Sequence, residues 1–137
     1  MLELIHEVLS LKSSCKTDVI DITSMLEDVV KRHEVSDGLL NVYTTHTTSS
    51  IVINENESGL VEDIKALFSV IARDSLDYMH NRIDGNATSH LRSVLTPTSE
   101  CIPIVDSRLA LGTWQSVFFV DFDGPRSNRR IIVSLLE

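Results

Sequence analysis

Apolar and polar residues alternate loosely at the start of this chain, short apolar runs recur along it, and a helical period appears twice. Residues 2–11 alternate loosely, with Leu2, Leu4, Val8, Leu9 and Leu11 apolar, which predicts a first strand. Lys12-Ser13-Ser14 reads as a turn and Asp18 to Ile22 as a second strand. A helix then starts at Thr23-Ser24. Ser24 and Glu27 have capping-box spacing, and Thr23 is an equally good cap. Met25, Leu26, Val29, Val30 and His33 recur on one helical stripe, and Asp37-Gly38 turns the chain. Strands follow over 39–45 and 49–54. The clearest helix carries Leu60, Val61, Ile64, Leu67, Phe68 and Ile71 at helical spacing.

The second half is less regular. Residues 74–80 fit a short helix that delivers Tyr78 and His80, and 81–89 read as a loop around Asp84-Gly85. Leu91, Val94 and Leu95 fit a helix or a strand. Strands are predicted over 101–105, 116–122 and 130–136, with Asp123-Gly124-Pro125-Arg126 as a turn. Two strands precede each helix, so the pattern predicts an α+β fold, mainly antiparallel, with a β-sandwich-like core.

Composition narrows the function. The 137 residues fit one domain, and a hydrophobic fraction of 42% argues for a packed core. A formal charge of -8, from 12 basic and 20 acidic residues, argues against a nucleic-acid surface but leaves room for a small anion held locally. Neither a signal peptide nor a membrane span is expected. Cys15 and Cys101 read as free thiols of a reducing compartment, so a cytoplasmic location is expected.

The chemistry centres on Thr44-Thr45-His46-Thr47-Thr48-Ser49-Ser50, one imidazole among six hydroxyls. Histidine moves protons near neutral pH and ligates metals, and hydroxyls bind phosphate oxygens. A hydroxyl-rich hairpin with an exposed histidine fits the same residues. His80 and His90 also lie in polar settings, and three imidazoles plus water make a zinc site. Their spacing is no local metal motif, and three unrelated surface histidines fit as well. Glu55, Asp63, Asp121 and Asp123 lie near element ends, where each is a general base, an orienting partner or simply solvated. Alternation puts Gln115, Asp121 and Asp123 on one face. Arg126 follows a Gly-Pro turn, placed for a phosphate or merely exposed. Trp114 is a stacking surface or a core residue. His33 reads as a helix-end histidine.

Together, Thr45-His46-Thr47-Thr48, Ile53-Asn54-Glu55, Tyr78-x-His80, Asn86-Ala87-x-x-His90-Leu91, Ile102-Pro103-Ile104, Leu111-Gly112-Thr113-Trp114-Gln115 and Asp123-Gly124-Pro125-Arg126 resemble the YjbQ-like family. Its members are described as secondary thiamine-phosphate synthases. The resemblance implies a two-sheet sandwich with two or three helices and a homotrimer. It implies a divalent metal, zinc or else magnesium, held by His46, His80 and His90 near a subunit boundary. Catalysis would fall to His46, Glu55, Asp121 and Arg126. A small phosphorylated substrate would meet Thr47, Thr48, Asn54, Asn86, Thr113, Trp114, Gln115 and Arg126. The implied reaction joins a pyrimidine pyrophosphate to a thiazole phosphate. A zinc-dependent hydrolase and a non-catalytic trimeric ligand-binding protein are the alternatives. Two departures stand out. Thr96-Pro97-Thr98-Ser99 replaces a glycine-containing turn, and Asp121 stands where glutamate is usual.

Overall fold

Strand alternation sets the architecture, because each central strand buries one set of side chains between two sheets. The computed structural model describes residues 2–137. Its elements run β1 (Leu4–Ser13), β2 (Asp18–Asp21), α1 (Thr23–Arg32), β3 (Gly38–Thr44), β4 (Ser49–Asn54), α2 (Ser58–Ile71), a 3-10 turn (Met79–Arg82), α3 (Ala87–Val94), β5 (Ser99–Val105), β6 (Arg108–Leu109), β7 (Ser116–Asp121) and β8 (Arg126–Leu136). One sheet has the order β1-β8-β3-β5-β6 and the other β2-β7-β4, and every pairing is antiparallel. This is the predicted α+β, two-sheet antiparallel arrangement with three helices. Among the described residues, no helix is long and apolar enough to cross a membrane.

β7 shows how the layers divide. Val117 and Phe119 pack with Leu40, Val42, Ile131 and Val133 of the large sheet and with Leu26, Val29 and Val30 of α1. Phe118 and Val120 face the other way and join Phe122 and Phe68 of α2. Successive side chains of a strand point to opposite faces, so one strand serves two cores. At one end the inter-sheet layer turns polar. Ser13, Thr44, Ser49, Asp121 and Arg129 are all buried there, and this end carries the candidate site.

Several local expectations need correcting. Lys12 and Ser13 belong to β1, because Ser13 stays paired with Arg126 across a bulge. The capping box at α1 does not form. Ile22 holds the cap position, the Thr23 hydroxyl accepts from the Val117 N–H, and the Thr23 N–H donates to Asp21. Residues 45–48 break the strand run, so His46 and Thr48 share no strand face with Ser50. The helix expected over 74–80 shrinks to the 3-10 turn, and the end of the expected loop folds into α3. Gln115 and Asp123 lie beyond opposite ends of β7, so they do not share a face with Asp121.

α3 explains its own ambiguity. Its buried side chains are Ala87, Thr88, Ser89, Arg92 and Ser93, while Leu91 and Val94 are exposed. It docks through polar bonds to backbone carbonyls. The Ser89 hydroxyl donates to Phe122 O, Ser93 to Ser49 O, and Arg92 to Phe68 O and Ala72 O. The last pair caps the C-terminus of α2.

Candidate functional site

The buried polar end of the sandwich supports a cleft of about 390 Å³ between the β3–β4 loop, the start of α3 and the β7–β8 turn. His46, Thr47 and Thr48 line it from the loop, Asn86 and His90 from α3, and Asp123, Arg126 and Arg129 from the turn and β8. Its floor is an ion pair. Arg129 Nε donates to Asp121 Oδ2 at 3.0 Å and Nη2 to Oδ1 at 2.7 Å, while Nη2 also reaches the Thr48 hydroxyl at 2.8 Å. Ser13 and the Asp123 N–H complete the bonds to Asp121. Burial opposes the charge of Asp121, but these donors outweigh it and hold the carboxyl below its ordinary range. Asp121 is fully buried, so it positions Arg129 and the turn rather than facing the cleft.

The turn above is shaped by Gly124. A Cβ there would run into the carbonyl oxygen of Cys15 and the Ser13 hydroxyl, so only glycine fits. The following Gly124–Pro125 bond is cis. Arg126 turns back toward Asp123, with Nη2 donating to Oδ2 at 2.9 Å and Nε to the Asp123 carbonyl at 3.0 Å. Asp123 also accepts from Lys16 and from Asn86 Nδ2. Burial again opposes its charge, and Asn86, Lys16 and Arg126 lower its pKa nonetheless.

Asn86 passes this order to a histidine. Its amide nitrogen is committed to Asp123, so its oxygen accepts from His80 Nε2 at 3.0 Å. A neutral His80 therefore has its lone pair on Nδ1. The His90 ring lies edge-on to His80, with centroids 4.7 Å apart. An adjoining cavity of about 330 Å³ is lined by both rings with Tyr78, Met79, Ala87 and Leu91.

His46 is fixed differently. The β3–β8 ladder ends at Thr44 and Ile131, and the next free N–H, that of Arg130, donates to His46 Nε2 at 2.9 Å. An acceptor Nε2 places the ring proton on Nδ1. Burial first, and then the charge of Arg129, lower the His46 pKa and favour the neutral ring. A metal at Nε2 would have to displace the Arg130 bond. Among the described residues, no three His, Cys, Asp or Glu side chains are grouped to hold an ion. His80 and His90 are adjacent and offer two ligands. The three-histidine centre expected from the resemblance is not assembled.

The remaining expected residues are elsewhere. Asn54, Glu55, Trp114 and Gln115 line a separate hollow of about 280 Å³, with Thr113 next to Trp114 in the chain. The register places Ser49 opposite Asp121 and Asn54 opposite Ser116. Five strand steps of about 3.3 Å put the two groups roughly 17 Å apart within one chain. Trp114 is 72% exposed and is therefore not a core residue. His33 pairs with Glu7 at 3.0 Å, on β1 and away from both groups.

Sequence reasoning did not single out Arg129, Ser13 or Lys16. The inward positions of β8 are 129, 131, 133 and 135, and an arginine among three aliphatic residues was the available signal.

The family model described as "UPF0047 protein YjbQ-like" matches residues 7–137. A UPF0047 protein of Methanothermobacter thermautotrophicus is 46% identical, over 98% of this chain and 93% of its own length. One from Archaeoglobus fulgidus is 45% identical, over 93% and 98%. Among solved structures, a YbjQ-like protein of unknown function from Sulfolobus solfataricus superposes with a TM-score of 0.96 at 32% identity, covering 99% of both chains. An uncharacterised YjbQ/UPF0047 protein of Clostridium acetobutylicum gives 0.88 at 36% identity, covering 94% and 98%. The chain belongs to the YjbQ-like UPF0047 family.

Proposed function

We propose that the cleft under the β3–β4 loop binds the phosphate of a small phosphorylated molecule, and that the protein is an enzyme that moves protons there with imidazoles of fixed tautomer. One observation carries this reading. Arg126, half exposed, and Thr47 line the same cleft as His46, whose burial and Arg129 neighbour favour the neutral ring and whose Nε2 accepts from the Arg130 N–H. Arg126 keeps Nη1 available for an oxyanion beside its Asp123 contact. The α3 N-terminus adds a partial positive charge. Asp121 and Asp123 balance the local cations, so specificity comes from directed donors rather than net charge.

The finer form, suggested by the resemblance, is thiamine-phosphate synthesis. The bond from the pyrimidine methylene carbon to pyrophosphate breaks, and the thiazole nitrogen's lone pair forms the new carbon–nitrogen bond. Pyrophosphate leaves with the electron pair, and Arg126 would stabilise its charge. A divalent metal would supply further charge neutralisation, and His80 and His90 are the residues that could contribute ligands. The proposed assembly is a homotrimer. It is supported by exposed apolar side chains on neighbouring elements, including Val70, Met79 and Ile83.

The test is a pyrophosphate titration followed by amide NMR shifts, with Arg126→Ala alongside, and a product assay with the two thiamine precursors. Shifts at residues 46–48, 86 and 126 that vanish in the variant support the site. Saturable binding without turnover of these precursors would leave a binding protein or another substrate. No binding by the wild type refutes the reading.

A further inference from the structure

Beside the cleft, a further cavity of about 600 Å³ borders the same His46 loop. It is lined by Tyr43, Thr45 and His46 on the hairpin, Val94 at the end of α3, and Pro97 and Thr98 on the way into β5. Its size suits a small-molecule site. The two cavities share Thr45, His46 and Thr47 and differ in chemistry. The first has Asp84, Asp123, Arg126 and Arg129 on its walls, whereas no carboxylate, lysine or arginine lines the second.

The strands make this division rigid. Thr44 N–H donates to Thr98 O and Ile51 N–H to Pro97 O, which straps the β5 approach across the hairpin. α3 underlies both cavities, giving His90 to the first and Ser93 and Val94 to the second. Those positions are about one helical turn apart, roughly 5 Å along the axis. One small molecule can therefore reach both cavities.

Resting on the phosphate reading above, we infer that this charge-free cavity holds an uncharged planar ring carried by the same substrate, placing His46 between ring and phosphate. Tyr43, partly exposed, and Pro97 offer flat apolar faces. The exposed Thr45 and Thr98 offer hydroxyls to ring heteroatoms. A second charged group would find no counter-charge there and would lose solvation.

Inorganic phosphate and phenyl phosphate, titrated calorimetrically into the full chain, separate the possibilities. Wild type should bind phenyl phosphate roughly tenfold or more tightly than phosphate, the gain expected from burying one ring. Thr98→Trp, which fills the cavity from an exposed position, should erase that gain and leave phosphate binding unchanged. Retained phosphate binding also shows that the variant is folded. Equal affinities in wild type, or a preference that survives Thr98→Trp, would overturn the ring subsite while leaving the phosphate site standing. No phosphate binding by wild type would overturn both.

Discussion

Arg129 reaches across the sandwich and grips both carboxylate oxygens of Asp121, at 3.0 and 2.7 Å, beneath the candidate cleft. Both side chains are buried. Removing one partner strands the other charge in the interior, which costs about 3–5 kcal/mol. Asp121→Asn and Arg129→Met should each lower stability by that order in urea denaturation. Asp121→Leu combined with Arg129→Met should recover part of it, but leaves the Ser13 hydroxyl and the Asp123 N–H without their acceptor. A single variant within about 0.5 kcal/mol of wild type would contradict the pairing.

Acid should dismantle the same end. Asp121 and Asp123 both have pKa values lowered by folding. A depressed carboxylate contributes stability above its unfolded value, near 4, and loses it as pH falls through the folded value. Denaturation midpoints should therefore fall below about pH 4, less steeply in the Asp121→Leu, Arg129→Met double variant.

The Arg130 bond makes a sharp statement about one proton. His46 should be the Nδ1–H tautomer and still mainly neutral at about pH 6.5, where free imidazole is half protonated. Its stabilising contribution is present above that pH and lost as pH falls through its lower folded value. Long-range nitrogen–proton NMR reads the tautomer directly, and a proton on Nε2 would refute the assignment.

Metal content offers another check. Because Nε2 of His46 is engaged, zinc taken up by the protein should depend on His80 and His90. Elemental analysis should show the same zinc per chain in wild type and His46→Ala, and less in His80→Ala. Loss of zinc in His46→Ala would mean that the ring leaves Arg130 to complete a three-histidine centre.

Assembly is testable through the exposed apolar residues. Met79→Glu with Ile83→Glu should convert a trimer to a smaller species in light scattering after gel filtration. An unchanged mass would place the contact elsewhere.

The sandwich was legible because residues 2–11 alternate loosely and short apolar runs bounded by turn residues mark β3, β4, β7 and β8. The cleft was partly legible. His46, Thr47, Thr48, Asn86, His90 and Arg126 line it as a group, and His80 joins them through Asn86. Arg129 escaped notice because it lies within a strand, where its partner is set by the meeting of two sheets. Asn54, Glu55, Trp114 and Gln115 share motifs with the cleft residues but sit at the far end of β4 and β7. Linear order cannot report that distance. α3 resisted reading because Leu91 and Val94 mark its outward side, opposite to the usual inference from an apolar stripe.

That inside-out helix also bears on how the protein matures. An ordinary helix is drawn onto its domain by oily contacts that tolerate imprecision. α3 instead docks through two hydroxyls that must each find one particular carbonyl and a guanidinium that must find two. Such bonds reward only the finished geometry, so α3 should settle late in folding, after β4 and α2 have presented their carbonyls. The cleft, which borrows Asn86 and His90 from this segment, would then be among the last parts of the chain to take shape.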